Sequence, residues 1–402
     1  MMNNSKCGIG LNYKYTIYAS YLGYITQAIV NNFAPLLFLK FARDYSLSLD
    51  KITLVTTINF AVQLLVDLIS AKVIDKIGYR VSIVAAHAFA ALGLIGLAVF
   101  PAMFVNEYAG IIVSVVLYAI GGGIIEVLIS PIVEACPTKE KESAMSLLHS
   151  FYCWGHVAVV VASSVFFLFA GIDNWRYMAF LWALIPILNG VFFLFVPIYK
   201  VVEDEKKLPI KKLLSDKAFL LIVPLMVAAG ASEQAMSQWA SAFAESGLGV
   251  SKFLGDILGP CAFAVFMGTA RAIYGRFGSK IKLMNAMPVS AGMCIICYLI
   301  AVFASNPVFA LLGCAFTGFT VGIFWPGTFS IASVKIPGGG TSMYALLALA
   351  GDVGCSMGPS VVGFVSNACG GELKKGLIWG IIFPIMILVL VPLLNSAKTS
   401  KN

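Results

Sequence analysis

The chain is a succession of long apolar runs separated by short polar stretches. A helix that crosses a bilayer needs about 20 mostly apolar residues. Runs of that length fall near 15–40, 51–74, 80–100, 107–136, 143–170, 176–199, 218–244, 253–274, 280–303, 306–334, 340–367 and 374–396. In hydrocarbon such runs must satisfy their own backbone hydrogen bonds, so each is predicted to be a helix. The pattern predicts an all-α membrane protein with twelve transmembrane helices.

Composition agrees with the pattern. Of 402 residues, 60% are hydrophobic and 11% charged, and the mean hydropathy is +0.92. A soluble domain carries about 25% charge. The nine cysteines are scattered, mostly inside apolar runs, and predict no disulfide framework. Cys294 and Cys297 have the spacing of a metal half-site, but no second pair accompanies them, and core packing is the expected role. The opening "MMNNSKCGIGLNYKY" is short and polar without a small-residue cleavage site, so no removable signal is expected.

The 27 Lys and Arg residues give the expected orientation. They concentrate in alternate loops, among them Lys72, Lys76 and Arg80, Lys200 to Lys217, and Arg271, Arg276, Lys280 and Lys282. The positive-inside rule then puts both termini in the cytoplasm, with the protein in the cytoplasmic membrane. The net charge of +8 belongs to that leaflet and gives no reason to expect nucleic acid. The polar loop 200–217 is the expected linker between an N-terminal half, 1–199, and a C-terminal half, 218–402. Leu208 to Leu214 is expected to form a short surface helix.

The halves repeat. "KIGYR" (Lys76–Arg80) returns as "RFGSK" (Arg276–Lys280), and "GGIIE" (Gly122–Glu126) lines up with "VGIFW" (Val321–Trp325). Leu147, Leu148 and Gly155 match Leu346, Leu347 and Gly354, and Ser46–Lys51 matches Gly247–Lys252. Matches in sequence order at nearly constant offset indicate two parallel six-helix halves.

On these residues the chain resembles the major facilitator superfamily. "AKVIDKIGYR" (Ala71–Arg80) is similar to the family's loop between helices 2 and 3, with Asp75, Lys76, Gly78 and Arg80 in place. The resemblance implies a conformational latch, in which Asp75 holds the positive N-terminus of helix 11 near Gly338–Gly340. Glu134 and Arg276 are expected to form a gate pair at the same side. A narrower resemblance, to the fucose/galactose/glucose–proton symporter group, rests on "GIIEVLISP", "GASEQAMSQWAS", "GIFWPGTFSIA" and "LAGDVGCSMGP". It implies an essential acid in helix 1, where the best match here is Asn32. The helix 4 acid is present as Glu126, and Glu233 is the half-repeat mate of Asn32.

The acids inside the runs are Asp67, Glu126, Glu233 and Asp352, and no Lys or Arg is expected in mid-span. Without a buried cation the site would suit a neutral or cationic solute rather than an anion. Burial without a cation also favours the protonated form of a carboxyl, as proton coupling requires. Glu126 and Glu233 are therefore the candidate coupling acids. Amides and carboxylates bind vicinal hydroxyls, and an aromatic ring covers the apolar face of a sugar. That chemistry makes Asn31, Asn32, His149, Trp154, Gln234, Gln238, Trp239, Trp325 and Asp352 the candidate substrate contacts. Asp67, close to Lys72, reads instead as a structural pair.

The expected function is a secondary transporter that imports a small neutral polar solute, most simply a monosaccharide, by proton symport and alternating access. The expected partners are the solute, protons and membrane lipid; the chain reads as a monomer with no cofactor or metal. Two rivals remain: a proton antiporter exporting cationic or amphipathic drugs, and a membrane sensor on a transporter fold. An enzyme is not expected, since no nucleophile–base pairing or cofactor loop is present.

Overall fold

The computed structural model describes residues 12–138, 141–199, 210–277, 282–336 and 339–396. Among them are twelve helical segments long and apolar enough to cross a membrane, and no strand. Spans 1 to 6 are Tyr13–Asp44, Leu49–Ile69, Tyr79–Met103, Glu107–Glu134, Leu147–Ala170 and Ile172–Phe195. Spans 7 to 12 are Lys217–Gly247, Lys252–Tyr274, Leu283–Phe303, Pro307–Lys335, Met343–Ala368 and Leu373–Asn395. A short helix, Ile210–Leu213, precedes span 7. Residues 200–209 of the expected linker lie outside the described residues.

Local chemistry sets where these helices start and break. Asn106 caps span 4 by accepting from Tyr108 N and Ala109 N, and Asp216 caps span 7 through Ala218 N and Phe219 N. Span 1 passes through a 3-10 turn at Ala34–Leu37, where Pro35 has no N–H to give. Span 7 breaks at Trp239 and widens into a π-helical segment at Phe243–Gly247. Interrupted helices of this kind place backbone and side chains toward a central site.

Spans 1 to 6 pack among themselves, as do spans 7 to 12. The halves meet along two seams, span 2 against span 11 and span 5 against span 8. The pseudo-two-fold repeat shows at the glycines. A Cβ on Gly155 would meet Ala28 Cβ at 2.9 Å, bringing span 5 onto span 1. Its mate Gly354 brings span 11 onto span 7, where a Cβ would meet Val227 O at 2.0 Å.

Consecutive spans reverse direction, so odd-numbered spans start at one face, the near face, and end at the other, the far face. Toward the far face the halves are fastened. Thr57 Oγ1 lies 2.6 Å from Ser360 Oγ, and Gln238 Nε2 donates to Asn31 O at 3.1 Å. The Trp239 ring sits 5.3 Å from that of Phe38 across the halves, while its Nε1 donates to Pro359 O within the second half. Buried Asp256 accepts from Ser164 Oγ across the seam at 2.9 Å and from Lys252 Nζ within its own half.

Gly354→Val drives a side chain into the Val227 carbonyl, and overpacking of this kind costs about 1–3 kcal/mol. Purified protein should melt at lower temperature, while a substitution at lipid-exposed Phe169 should leave the melt unchanged.

Candidate functional site

Between the halves, at mid-depth, is a cavity of about 130 Å³. Span 1 supplies Tyr24, Gln27 and Asn31 to its wall; span 4 supplies Glu126; span 5 supplies His149 and Tyr152. From the second half come Glu233 and Gln234 of span 7, Arg271 of span 8, Trp325 of span 10, and Asp352 and Cys355 of span 11. Far-face contacts close one end, and His149 is exposed on the near side.

Glu126 is held by a neutral donor. Gln27 Nε2 gives one hydrogen to Glu126 Oε2 at 2.8 Å and the other to Gln63 Oε1 at 2.8 Å. Gln63 Nε2 in turn donates to Asn31 Oδ1 at 2.8 Å and Asn59 Oδ1 at 3.0 Å. Asn59 Nδ2 also donates to Asn31 Oδ1. Gln27, Asn31, Asn59 and Gln63 are all buried, and these four amides bond to one another inside the first half, leaving Gln27 Oε1 without a partner. Helical spacing makes this possible: Gln27 and Asn31 share one face of span 1, and Asn59, Gln63 and Asp67 share one face of span 2.

The second half contributes an ion pair. Arg271 Nη2 lies 2.9 Å from Glu233 Oε2, and Gln234 Nε2 reaches Glu233 Oε1 at 3.2 Å. This corrects the expectation that no cation stands in mid-span. Span 8 continues as helix to Phe277, so Arg271 sits at cavity depth rather than in the loop after it. Glu233 is consequently a paired acid, not a free one. Glu126 and Asp352 line the other wall with Asp67 close behind them, each of the three within electrostatic reach of another. None of the three has a cationic partner among the described residues. Asp67 faces Asp352 across the seam, and the side chain of Lys72, its expected partner, lies outside the described residues.

Other expected contacts are placed elsewhere. Trp154 is 51% exposed on the outside of the bundle and does not line the cavity. Asn32 donates to Ala28 O of its own helix, and Gln238 and Trp239 belong to the far-face closure above the cavity. At the near face Gly78 takes φ +91°, the turn conformation that glycine permits, and Arg80 Nη1 donates to Phe193 O and Leu194 O, closing the end of span 6. Glu134 is exposed. The side chains of Asp75, Lys76 and Arg276, and Gly338, lie outside the described residues, and the latch and gate-pair expectations rest on them. Sequence reasoning missed Gln27, Asn59, Gln63, Tyr24, Tyr152 and Arg271; the i, i+4 amide spacing on spans 1 and 2 was the available signal.

The sequence profile of the Major Facilitator Superfamily matches residues 20–359. A search of curated proteins gives no match. Among solved structures, a bacterial homologue of the human lysosomal transporter Spinster aligns over 97% of this chain and 98% of its own, at 14% identity and TM-score 0.77. A D-xylose–proton symporter aligns over the same shares at 12% identity and TM-score 0.75. The E. coli fucose–proton symporter aligns over 96% of this chain and 100% of its own, at 15% identity and TM-score 0.64. At these identities the likeness is one of fold.

Arg271→Ala leaves Glu233 buried without its cation, and one-sided loss of a buried pair costs about 3–5 kcal/mol. The variant should melt well below wild type, and adding Glu233→Gln should recover most of the loss. A double variant no more stable than the single one would mean that charge compensation is not what Arg271 provides.

Proposed function

Because the chain belongs to the major facilitator superfamily of transporters, we propose that it carries a small neutral polar solute, a monosaccharide, in symport with a proton. The observation that carries this reading is the charge arrangement of the cavity. Among the described residues its one cation, Arg271, is already neutralised by Glu233, and the other charged groups at the walls are acids. An anionic solute would meet two unpaired carboxyls, Glu126 and Asp352, and no free counter-charge among the described residues. A neutral polyol meets amides and carboxyls suited to its hydroxyls, with the Trp325 ring beside them. The cavity's size and lining suit one ring and its hydroxyls rather than a long amphipath.

Glu126 is the proton-coupling acid in this reading. It is reached from the cavity, it stands between the halves, and Gln27 is a donor that suits the ionised carboxylate without locking it as a cation would. Glu233, fixed by Arg271, serves as a substrate ligand rather than a second coupling site. Asn31, Gln234, His149, Trp325 and Asp352 remain the proposed substrate contacts. Asp75, Lys76, Gly78 and Arg80 remain the proposed latch, with Glu134 and Arg276 as a gate pair. Alternating access would then exchange the far-face closure for one at the near face. The positive-inside count makes the near face cytoplasmic, with both termini there, in a monomer surrounded by cytoplasmic-membrane lipid.

A second reading is proton-driven export of organic cations, favoured by the three carboxyls without a cationic partner. Counterflow in proteoliposomes separates the two. Vesicles preloaded with a neutral monosaccharide such as D-xylose or L-fucose should accumulate the labelled sugar, and vesicles preloaded with tetraphenylphosphonium should not accumulate that cation. The reverse result would favour the export reading.

A further inference from the structure

The amides behind the cavity form a directed chain. Gln27 donates to both Glu126 and Gln63, Gln63 donates onward to Asn31 and Asn59, and Asn59 donates to Asn31. Each orientation is dictated by its neighbour, since an amide oxygen facing another amide oxygen would leave both without a hydrogen. One atom is left over. Gln27 Oε1 is buried in a residue only 2% exposed and has no hydrogen-bond partner. Leaving a buried acceptor unsatisfied costs about 1–3 kcal/mol. The unsatisfied oxygen belongs to the amide group that holds Glu126.

We propose that Gln27, Gln63, Asn59 and Asn31 form a relay whose hydrogen-bond polarity is set by the proton on Glu126 and read out at the Asn31 side of the substrate cavity. This rests on the reading of Glu126 as the coupling acid and adds how its state reaches the solute. When Glu126 is ionised, its oxygen accepts from Gln27 Nε2, as observed. When that oxygen carries a proton it becomes a donor, and two donors then face each other. Turning the Gln27 amide over presents Oε1 to the Glu126 hydroxyl. Oε1 would then also face Gln63 Oε1, so Gln63 turns and gives its Nε2 to Gln27. Its own oxygen then faces Asn31 and Asn59, and both turn to donate. No covalent bond breaks beyond the one proton gained, and each hydrogen bond in the chain is replaced by one of opposite direction. Asn31, which lines the cavity, presents the opposite end of its amide to the solute in the two states.

Other groups surround Glu126. Asp67 on span 2 and Asp352 and Cys355 on span 11 face it electrostatically, as does Tyr24 on span 1. His149 on span 5 and Arg271 on span 8 line the same cavity, the latter tied to Glu233 of span 7. On span 3, packed behind span 4, His87 is engaged by Ile83 O and Asn189. Tyr152 on span 5 hydrogen-bonds the Asn31 amide at the far end of the chain, so the relay runs between two ionisable groups, the Glu126 carboxyl and the Tyr152 phenol.

The test needs no solute. Infrared difference spectra between alkaline and acidic pH are recorded on purified protein carrying isotope-labelled asparagine. In wild type, a carboxyl band that is absent from Glu126→Gln should appear on acidification together with a shift of the labelled asparagine carbonyl bands. In Gln63→Met the Glu126 band should persist and the asparagine shift should be lost. Asparagine bands that do not respond in wild type, or that respond equally in Gln63→Met, would overturn the relay. If Gln63→Met does not purify as a folded protein, Gln27→Met makes the same cut one step earlier. A Glu126 band with silent asparagines overturns the relay and leaves the coupling reading standing; absence of any Glu126 band overturns both.

Discussion

A polar group buried away from water must find its partner within the protein, and this constraint shapes the centre of the bundle. Four amides answer it in the first half by bonding to one another and to Glu126. An arginine and a glutamate answer it in the second half by pairing. The two solutions differ in kind. The ion pair, with Arg271 also reaching Cys153 Sγ of span 5, balances its own charges. The amide chain ends on a carboxyl that no cation holds among the described residues, so a change of protonation there alters hydrogen bonds rather than breaking a salt bridge. The cavity lies between these two walls.

The surrounding fold places those walls face to face. Close glycine contacts at Gly155 and Gly354 bind spans 5 and 11 into their own halves, leaving the seams between spans 2 and 11 and between 5 and 8 as the surfaces across which the halves touch. Far-face contacts between the halves use hydroxyls and the buried Asp256 on these seams, and an amide and an indole ring between spans 7 and 1, rather than a continuous apolar core. Hydrogen bonds of net about 0.5–1.5 kcal/mol each can be exchanged without unfolding a half. That is a suitable joint for two rigid bodies that rock about a central site.

Much of the architecture was legible in the sequence, because length and hydropathy decide what crosses a membrane. Each of the twelve spans falls on one of the apolar runs, and the 199-residue offset pairs Gly155 and Gly354, each at a close helix contact in its own half, and Glu126 and Trp325, which both line the cavity. The site was legible only in part. Glu126, Asn31, Gln234, His149, Trp325 and Asp352 do line the cavity, since ionisable and amide groups in apolar runs have few other places to go. Arg271 was misplaced because hydropathy marks a helix end only to within a turn, and here the helix runs on. Trp154 faces outward because an aromatic ring is equally at home against lipid. Gln27 and Gln63 were passed over as single polar residues, although their meaning lies in the pairing between spans 1 and 2.

The central claim is that Glu126 carries the coupled proton. Its most direct test is solute-induced proton movement in de-energised proteoliposomes, followed with a pH electrode or an internal dye. Adding the sugar identified by counterflow should alkalinise the external medium for wild-type protein, and Glu126→Gln should abolish that change while still exchanging sugar. A Glu126→Gln protein that still moved protons with its solute would contradict the account.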